Sequence, residues 1–192
     1  MTILIGAIHD GVAYIGADSL WTWDEQFVRV HKSSKFADLA NQNVLIATAG
    51  QDKFTQILEK ILKTESKLLD FEDKDGIYEL VDAIQVEAVK HGVGEPENNQ
   101  LPNHDLGFLI ASSNTDKIWC IEPDYGVTCF DDHICTGSGA FLGESAMLAL
   151  SKKGIFGEEA IRIAIETVSA LHPFCGGPIE IRSVKIKGEK NE

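Results

Sequence analysis

The sequence predicts an α+β fold, a four-layer αββα sandwich with two sheets inside and helices over both outer faces. Its apolar residues fall in strand-like runs, then two helical stripes, then further runs, two more stripes and a last run. Two helices after each block of strands suit that sandwich. Alternating βαβ units, which would mark a doubly wound sheet, are missing. No internal repeat at the roughly 20–50-residue periods of solenoids is visible. Neither half of the chain holds a complete core, so residues 1–192 are read as a single domain.

Two apolar-rich strands are expected at 2–8 and 12–18, with His9-Asp10-Gly11 supplying the turn between them. Further strands are placed at 27–39 and 43–48. After Gly50 the period changes: Phe54, Ile57, Leu58, Ile61 and Leu62 share one face of a helix of about 15 residues. A second helix follows a break at Gly76, with Ile77, Leu80, Val81, Ile84 and Ala88 as its buried stripe. "HGVGEPENNQLPNH", residues 91–104, is the clearest loop. Strands return at 106–111, 117–121 and 126–136. "GSGAFLGESAMLALSKKG" reads as a buried helix starting near Gly139, apolar on most sides through Met147, Leu148 and Leu150. The next helix, 157–171, carries Ala160, Ile161, Ala164, Val168 and Leu171 on one face. A last strand at 178–187 precedes a charged tail, 187–192, expected to fray.

Composition narrows the function. With 17 Lys and Arg against 30 Asp and Glu, the formal charge is −13, which argues against nucleic acid or an anionic membrane as partner. No apolar run approaches the roughly 20 residues that cross a bilayer. The start lacks the basic and long apolar regions of a secretory signal, so a cytoplasmic protein is expected. Cys120, Cys129, Cys135 and Cys175 then read as thiols and not as a disulfide framework. His133, Cys135 and Cys129 match none of the usual zinc spacings, and no metal is expected.

The opening "MTILIGAIHDGVAYIGADS" poses the chemical question. Most domains leave their first residues loose, yet here a buried strand begins almost at once. That arrangement is either an ordinary edge strand or a reactive group on a rigid support. A threonine hydroxyl is a poor nucleophile near neutrality and needs a base. If Thr2 became the first residue, its own α-amine could serve, since such amines ordinarily titrate at roughly 7.7–8.0. Such a site needs a nearby positive charge to favour the neutral amine, a carboxylate to hold that charge, and donors for an oxyanion.

At these residues the chain resembles proteasome β-subunits and the bacterial HslV protease, members of the N-terminal nucleophile (Ntn) hydrolase superfamily. The resemblance spans nearly the whole sequence and rests on four stretches in order: the opening one, "SSKFADLANQNVLIATAG", "CTGSGAFLGESAMLAL" and "HPFCGGPIEI". It implies the αββα fold reached independently above. It also implies that Thr2 is the nucleophile once Met1 is removed, and that Asp18, in "GADS", is the partner acid. Asp18 could otherwise be a turn carboxylate at a strand end. The matching lysine is Lys35, with Lys32 as competitor, and a solvated lysine is the alternative for either. The resemblance points to the Gly50 N–H as oxyanion donor, where a helix N-terminus also favours negative charge; a plain turn glycine is the other reading. It places Thr48 in the pocket for the substrate side chain. Ser138 matches a serine beside the terminal amine, although a helix-start serine can be only a cap.

The main departure is His172, in "HPFCGG", where proteasome subunits typically carry an aspartate. A histidine there could orient Ser138 or move protons, or it could mark lost activity. Cys175 replaces a small hydroxyl residue in the same stretch and reads as a buried packing thiol. The function implied is threonine-dependent peptide hydrolysis without a cofactor, on a peptide or unfolded protein, in a homo-oligomer such as a ring, with an ATP-dependent unfoldase as a further partner. A catalytically inactive scaffold subunit and a small-amide amidohydrolase are the alternatives.

Overall fold

β1 (Leu4–His9) and β2 (Val12–Asp18) form an antiparallel hairpin closed by His9 opposite Val12. Asp10 and Gly11 are its two loop residues, with φ of 49° and 71°, so both take the left-handed conformation of a type I′ turn. The computed structural model describes residues 1–23, 27–30, 34–39, 43–50, 52–64, 71, 73–91, 107–122 and 125–187. The remaining strands are β3 (Leu20–Trp23), β4 (Phe27–Val30), β5 (Val44–Ala49), β6 (Gly107–Ser112), β7 (Ile118–Ile121), β8 (Val127–Phe130), β9 (His133–Thr136) and β10 (Ile179–Lys185). The helices are α1 (Asp52–Thr64), α2 (Lys74–Lys90), α3 (Ala140–Ser151) and α4 (Gly157–Leu171).

Two four-stranded sheets, ordered β10-β2-β1-β9 and β5-β6-β7-β8, pair antiparallel throughout, and β3 and β4 form a separate ribbon. Alternation along the strands gives each sheet two apolar faces. Leu4, Ile15, Ala17, Ala47, Leu109, Ala111 and Ile118 meet in the layer between the sheets. On the far side of the first sheet, Ile3, Ile5 and Ala7 pack with Ile161, Ala164, Ile165 and Val168 of α4. On the far side of the second, Val44, Ile46, Phe108 and Ile110 pack with Phe54, Leu58, Ile77 and Ile84 of α1 and α2. The result is the expected αββα sandwich.

Several elements depart from expectation. Among the described residues of the predicted strand at 27–39, only Phe27–Val30 form a strand, β4, which the unforeseen β3 precedes. Residues 35–37 instead run beside β5 through one bridge, Phe36 to Ala47, with Ala37 N–H on Ile46 C=O at 2.9 Å. The run at 126–136 is two strands in different sheets. β8 pairs with β7 and β9 with β1, and the chain changes sheet at Asp131-Asp132. Both strands keep apolar residues, so periodicity could not show the corner. Gly76 does not break α2 but sits in its first turn, where its N–H donates to the N-cap Asp73 at 3.1 Å.

The α2 stripe is buried as expected. In α3, by contrast, only Gly143 and Met147 are buried, and Phe141 and Leu148 face outward at 83% and 52% exposure. Leu171, at the end of α4, is also exposed. Of the loop expected at 91–104 only His91 is described, as the C-cap of α2, and of the tail expected at 187–192 only Lys187. No helix among the described residues is long and apolar enough to cross a membrane.

Candidate active site

Strand register delivers the site. β1 lies between β2 and β9, with Leu4 opposite Ala17 on one side and Thr136 on the other. Continued one and two residues backward, that register sets Ile3 beside Asp18 and Thr2 beside Ser138. The Asp18 N–H donates to Ile3 C=O at 3.3 Å. Ser138 Oγ accepts the Thr2 N–H at 3.2 Å and donates to Thr2 C=O at 3.4 Å, and the Gly139 N–H reaches the same carbonyl at 3.3 Å. This close approach requires Gly137: its φ is 93°, and a Cβ there would lie 2.3 Å from Thr2 O. Thr2 is 5% exposed. The Met1 amine donates to Thr22 Oγ1, on β3, at 2.8 Å.

Asp18 closes the second sheet strand and is buried. Its Oδ1 accepts the Ile3 N–H at 3.0 Å and Lys35 Nζ at 2.5 Å. Its Oδ2 accepts the Gly176 N–H at 2.8 Å and the Leu20 N–H at 3.3 Å. Four donors fill the acceptor capacity of an ionised carboxylate. Lys35 reaches it because Lys35 C=O accepts the Thr48 N–H at 2.9 Å, fixing residues 35–37 along β5. Burial pushes the Lys35 ammonium below its ordinary range, opposed by the charge and hydrogen bond of Asp18. Lys32, the competing lysine, lies outside the described residues.

Thr48 is buried on β5, and its hydroxyl meets Thr55 Oγ1 of α1 at 2.7 Å and Lys35 C=O at 3.3 Å. It therefore bridges the lysine segment to α1. Gly50 follows β5, exposed, with φ of 115°.

Of the readings for His172, the geometry bears on the orienting of Ser138. His172 caps the C-terminus of α4, and its Nδ1 accepts the Phe174 N–H at 3.3 Å. Among the described residues no hydrogen bond joins that ring to Ser138. Cys175 Sγ lies 3.7 Å from Ser138 Oγ instead. Cys175 is 3% exposed, and burial pushes its thiol up. Sequence reasoning also missed Gly176, whose N–H holds Asp18; the glycine pair after Cys175 was the available signal. His133 pairs with Glu144 of α3 at 3.3 Å and with Asp132 at 3.4 Å. Among the described residues no cluster of His, Cys, Asp and Glu could hold a metal ion.

No family model matches the chain, and no curated protein matches it in sequence. Among solved structures it is similar to BPH, a bacterial proteasome homologue, of Thiobacillus denitrificans: TM-score 0.81 and 18% identity, covering 97% of this chain and 100% of that one. The structure of that protein in complex with epoxomicin gives a TM-score of 0.80 at 18% identity, covering 96% and 99%. Eukaryotic HslV from Trypanosoma brucei gives 0.76 at 16% identity, covering 95% and 99%. The chain has the proteasome/HslV-like fold, and at this identity the likeness speaks for the fold alone.

Proposed function

We propose that this chain is a threonine-dependent peptidase of the proteasome/HslV type, acting on peptides or unfolded proteins in the cytoplasm. The observation that carries this reading is that Ser138 holds the Thr2 N–H while Asp18, itself paired with Lys35, holds the Ile3 N–H. With Met1 in place the Thr2 nitrogen is an amide and cannot act as a base. Once the Met1–Thr2 bond is cut, the nitrogen becomes an amine one residue from the Ile3 N–H that shares Asp18 Oδ1 with Lys35, whose charge disfavours its protonation. Thr2 Oγ1 then attacks a substrate carbonyl while that amine takes the hydroxyl proton. The Gly50 N–H stabilises the oxyanion of the tetrahedral intermediate, and the amine returns the proton to the leaving amide nitrogen. A water, deprotonated by the same amine, releases the acyl group and restores Thr2.

The test is the Met1-free protein, made by removing an N-terminal fusion, treated with a threonine-directed electrophile such as epoxomicin. One adduct mapped to Thr2 is expected, with hydrolysis of casein or a fluorogenic peptide, and both are lost in Thr2→Ala. Absence of adduct and of hydrolysis overturns the reading. A second reading, a scaffold subunit without the reaction, is favoured by the contact between the Met1 amine and Thr22, since the uncut chain has a seat for that amine. Either subunit is proposed to self-associate through the outward face of α3, where Phe141 is 83% exposed. Light scattering should give a mass several times that of the chain, and Phe141→Asp should lower it.

A further inference from the structure

We infer that Cys175 is a positioning residue: its S–H donates to Ser138 Oγ, holds the serine hydroxyl on Thr2, and so sets how readily the Thr2 amine takes up a proton. This rests on the proposed function for its catalytic meaning, but not for its geometry. The available protons and lone pairs fix the direction of each bond. Ser138 Oγ lies within hydrogen-bond range of the Thr2 N–H at 3.2 Å, Thr2 C=O at 3.4 Å and Cys175 Sγ at 3.7 Å. The N–H can only donate and the carbonyl can only accept, whereas serine has one proton and two lone pairs. Sulfur is the weaker acceptor, so the serine proton goes to the carbonyl. That leaves one lone pair of Oγ for the sulfur, which must donate.

The surroundings fit a protonated thiol held in one place. Cys175 is 3% exposed, and burial favours the neutral form. Its N–H donates to His172 C=O at 3.3 Å, and its sulfur packs on Gly139, where a Cβ would be only 3.2 Å away. The next residue, Gly176, donates to Asp18 at 2.8 Å. One two-residue stretch thus touches both Ser138 and the carboxylate that holds Lys35.

The direction of the effect follows from polarisation. An oxygen that already accepts the thiol proton is a poorer acceptor for another. In the Met1-free chain, Ser138 therefore stabilises the charged Thr2 amine less than a serine without that neighbour would. Removing the S–H should strengthen the serine's hold on the ammonium and raise the pH at which the amine becomes neutral.

The deciding measurement is the titration of the Thr2 amine, followed by ¹⁵N NMR in threonine-labelled, Met1-free protein, alongside the pH profile of kcat/KM. Cys175→Ala should move the titration and the acid limb upward by about half a pH unit, with about a threefold loss of kcat/KM on that limb and KM unchanged. Cys175→Ser, which keeps a donor, should bring both back. A parental titration in Cys175→Ala, or one in Cys175→Ser that stays with the alanine variant, overturns the inference. If Cys175→Ala does not fold, Cys175→Val against Cys175→Ser decides by the same titration. The titration needs no turnover, so an inactive protein with the expected shift would sink the peptidase reading and leave this one standing.

Discussion

At Asp18 four donors converge on two oxygens in a place with almost no access to water. Only a carboxylate satisfies that set, because an amide would turn an N–H₂ toward one of the donors. Asp18→Asn should therefore cost more than a hydrogen bond, since it leaves the Lys35 ammonium buried without a counter-charge. A loss of about 3–5 kcal/mol in denaturant-induced unfolding is expected. A loss within the range of an exposed ion pair, below about 1 kcal/mol, would show that Lys35 escapes to solvent and is no partner of the site. Asp18, like Lys35, was named only through a resemblance, although one tight hairpin sets its distance from Thr2. Lys35 was legible only through a resemblance, since its reach depends on how residues 35–37 lie along β5. The role of Cys175 was not legible, because three separated segments must meet before a thiol finds a serine.

The helix α3 shows the same division one level up. Its start was readable from Gly139, but its burial was not, because an apolar stripe on every side does not say which side faces the sheet. Glu144 supplies the tether, accepting the Cys135 N–H of β9 at 2.5 Å and facing His133 at 3.3 Å. Asp132 also faces His133, at 3.4 Å. The hydrogen bond to Glu144 raises the His133 pKa above its ordinary value of 6.5, against burial. Burial alone would push Glu144 up, but the hydrogen bonds from His133 and the Cys135 N–H hold it below its ordinary value of 4.5. A raised histidine stabilises the fold below its unfolded pKa and stops doing so as pH rises through the folded one. A depressed carboxylate stabilises above its unfolded pKa and stops as pH falls through the folded one. The pair therefore contributes most between those two ordinary values, 4.5 and 6.5. Glu144→Gln should cost about 0.5–1 kcal/mol at about pH 5.5, allowing for solvent screening, and clearly less at pH 8. Thermal unfolding at the two pH values reads the difference, and an equal cost at both would leave only the backbone hydrogen bond as the tether.

Across the whole molecule, the order of elements was readable because helices come in pairs after each block of strands, and only a sandwich buries both sheet faces that way. The change of sheet between β8 and β9 was hidden, yet it carries the largest consequence. It brings β9 alongside β1 and sets Ser138 against Thr2, a residue 136 positions earlier in the chain. The Thr2 side of the Met1–Thr2 bond is thereby packed against segments from far along the sequence. Thr2 is 5% exposed, Ile3 is fully buried, and the Thr2 carbonyl is held by Gly139. An aminopeptidase must draw several residues in extended form into its own cleft, which the folded chain forbids. On the proposed function, cutting of that bond is expected to precede the closing of β9 over β1. Native protein that retains Met1 should thus resist a methionine aminopeptidase, whereas the same protein unfolded in urea and diluted into the enzyme should lose one methionine by intact mass. Trimming of the native form at the rate of a free peptide would show that the first strand opens on its own. Trimming without added aminopeptidase would show that the folded chain cuts itself.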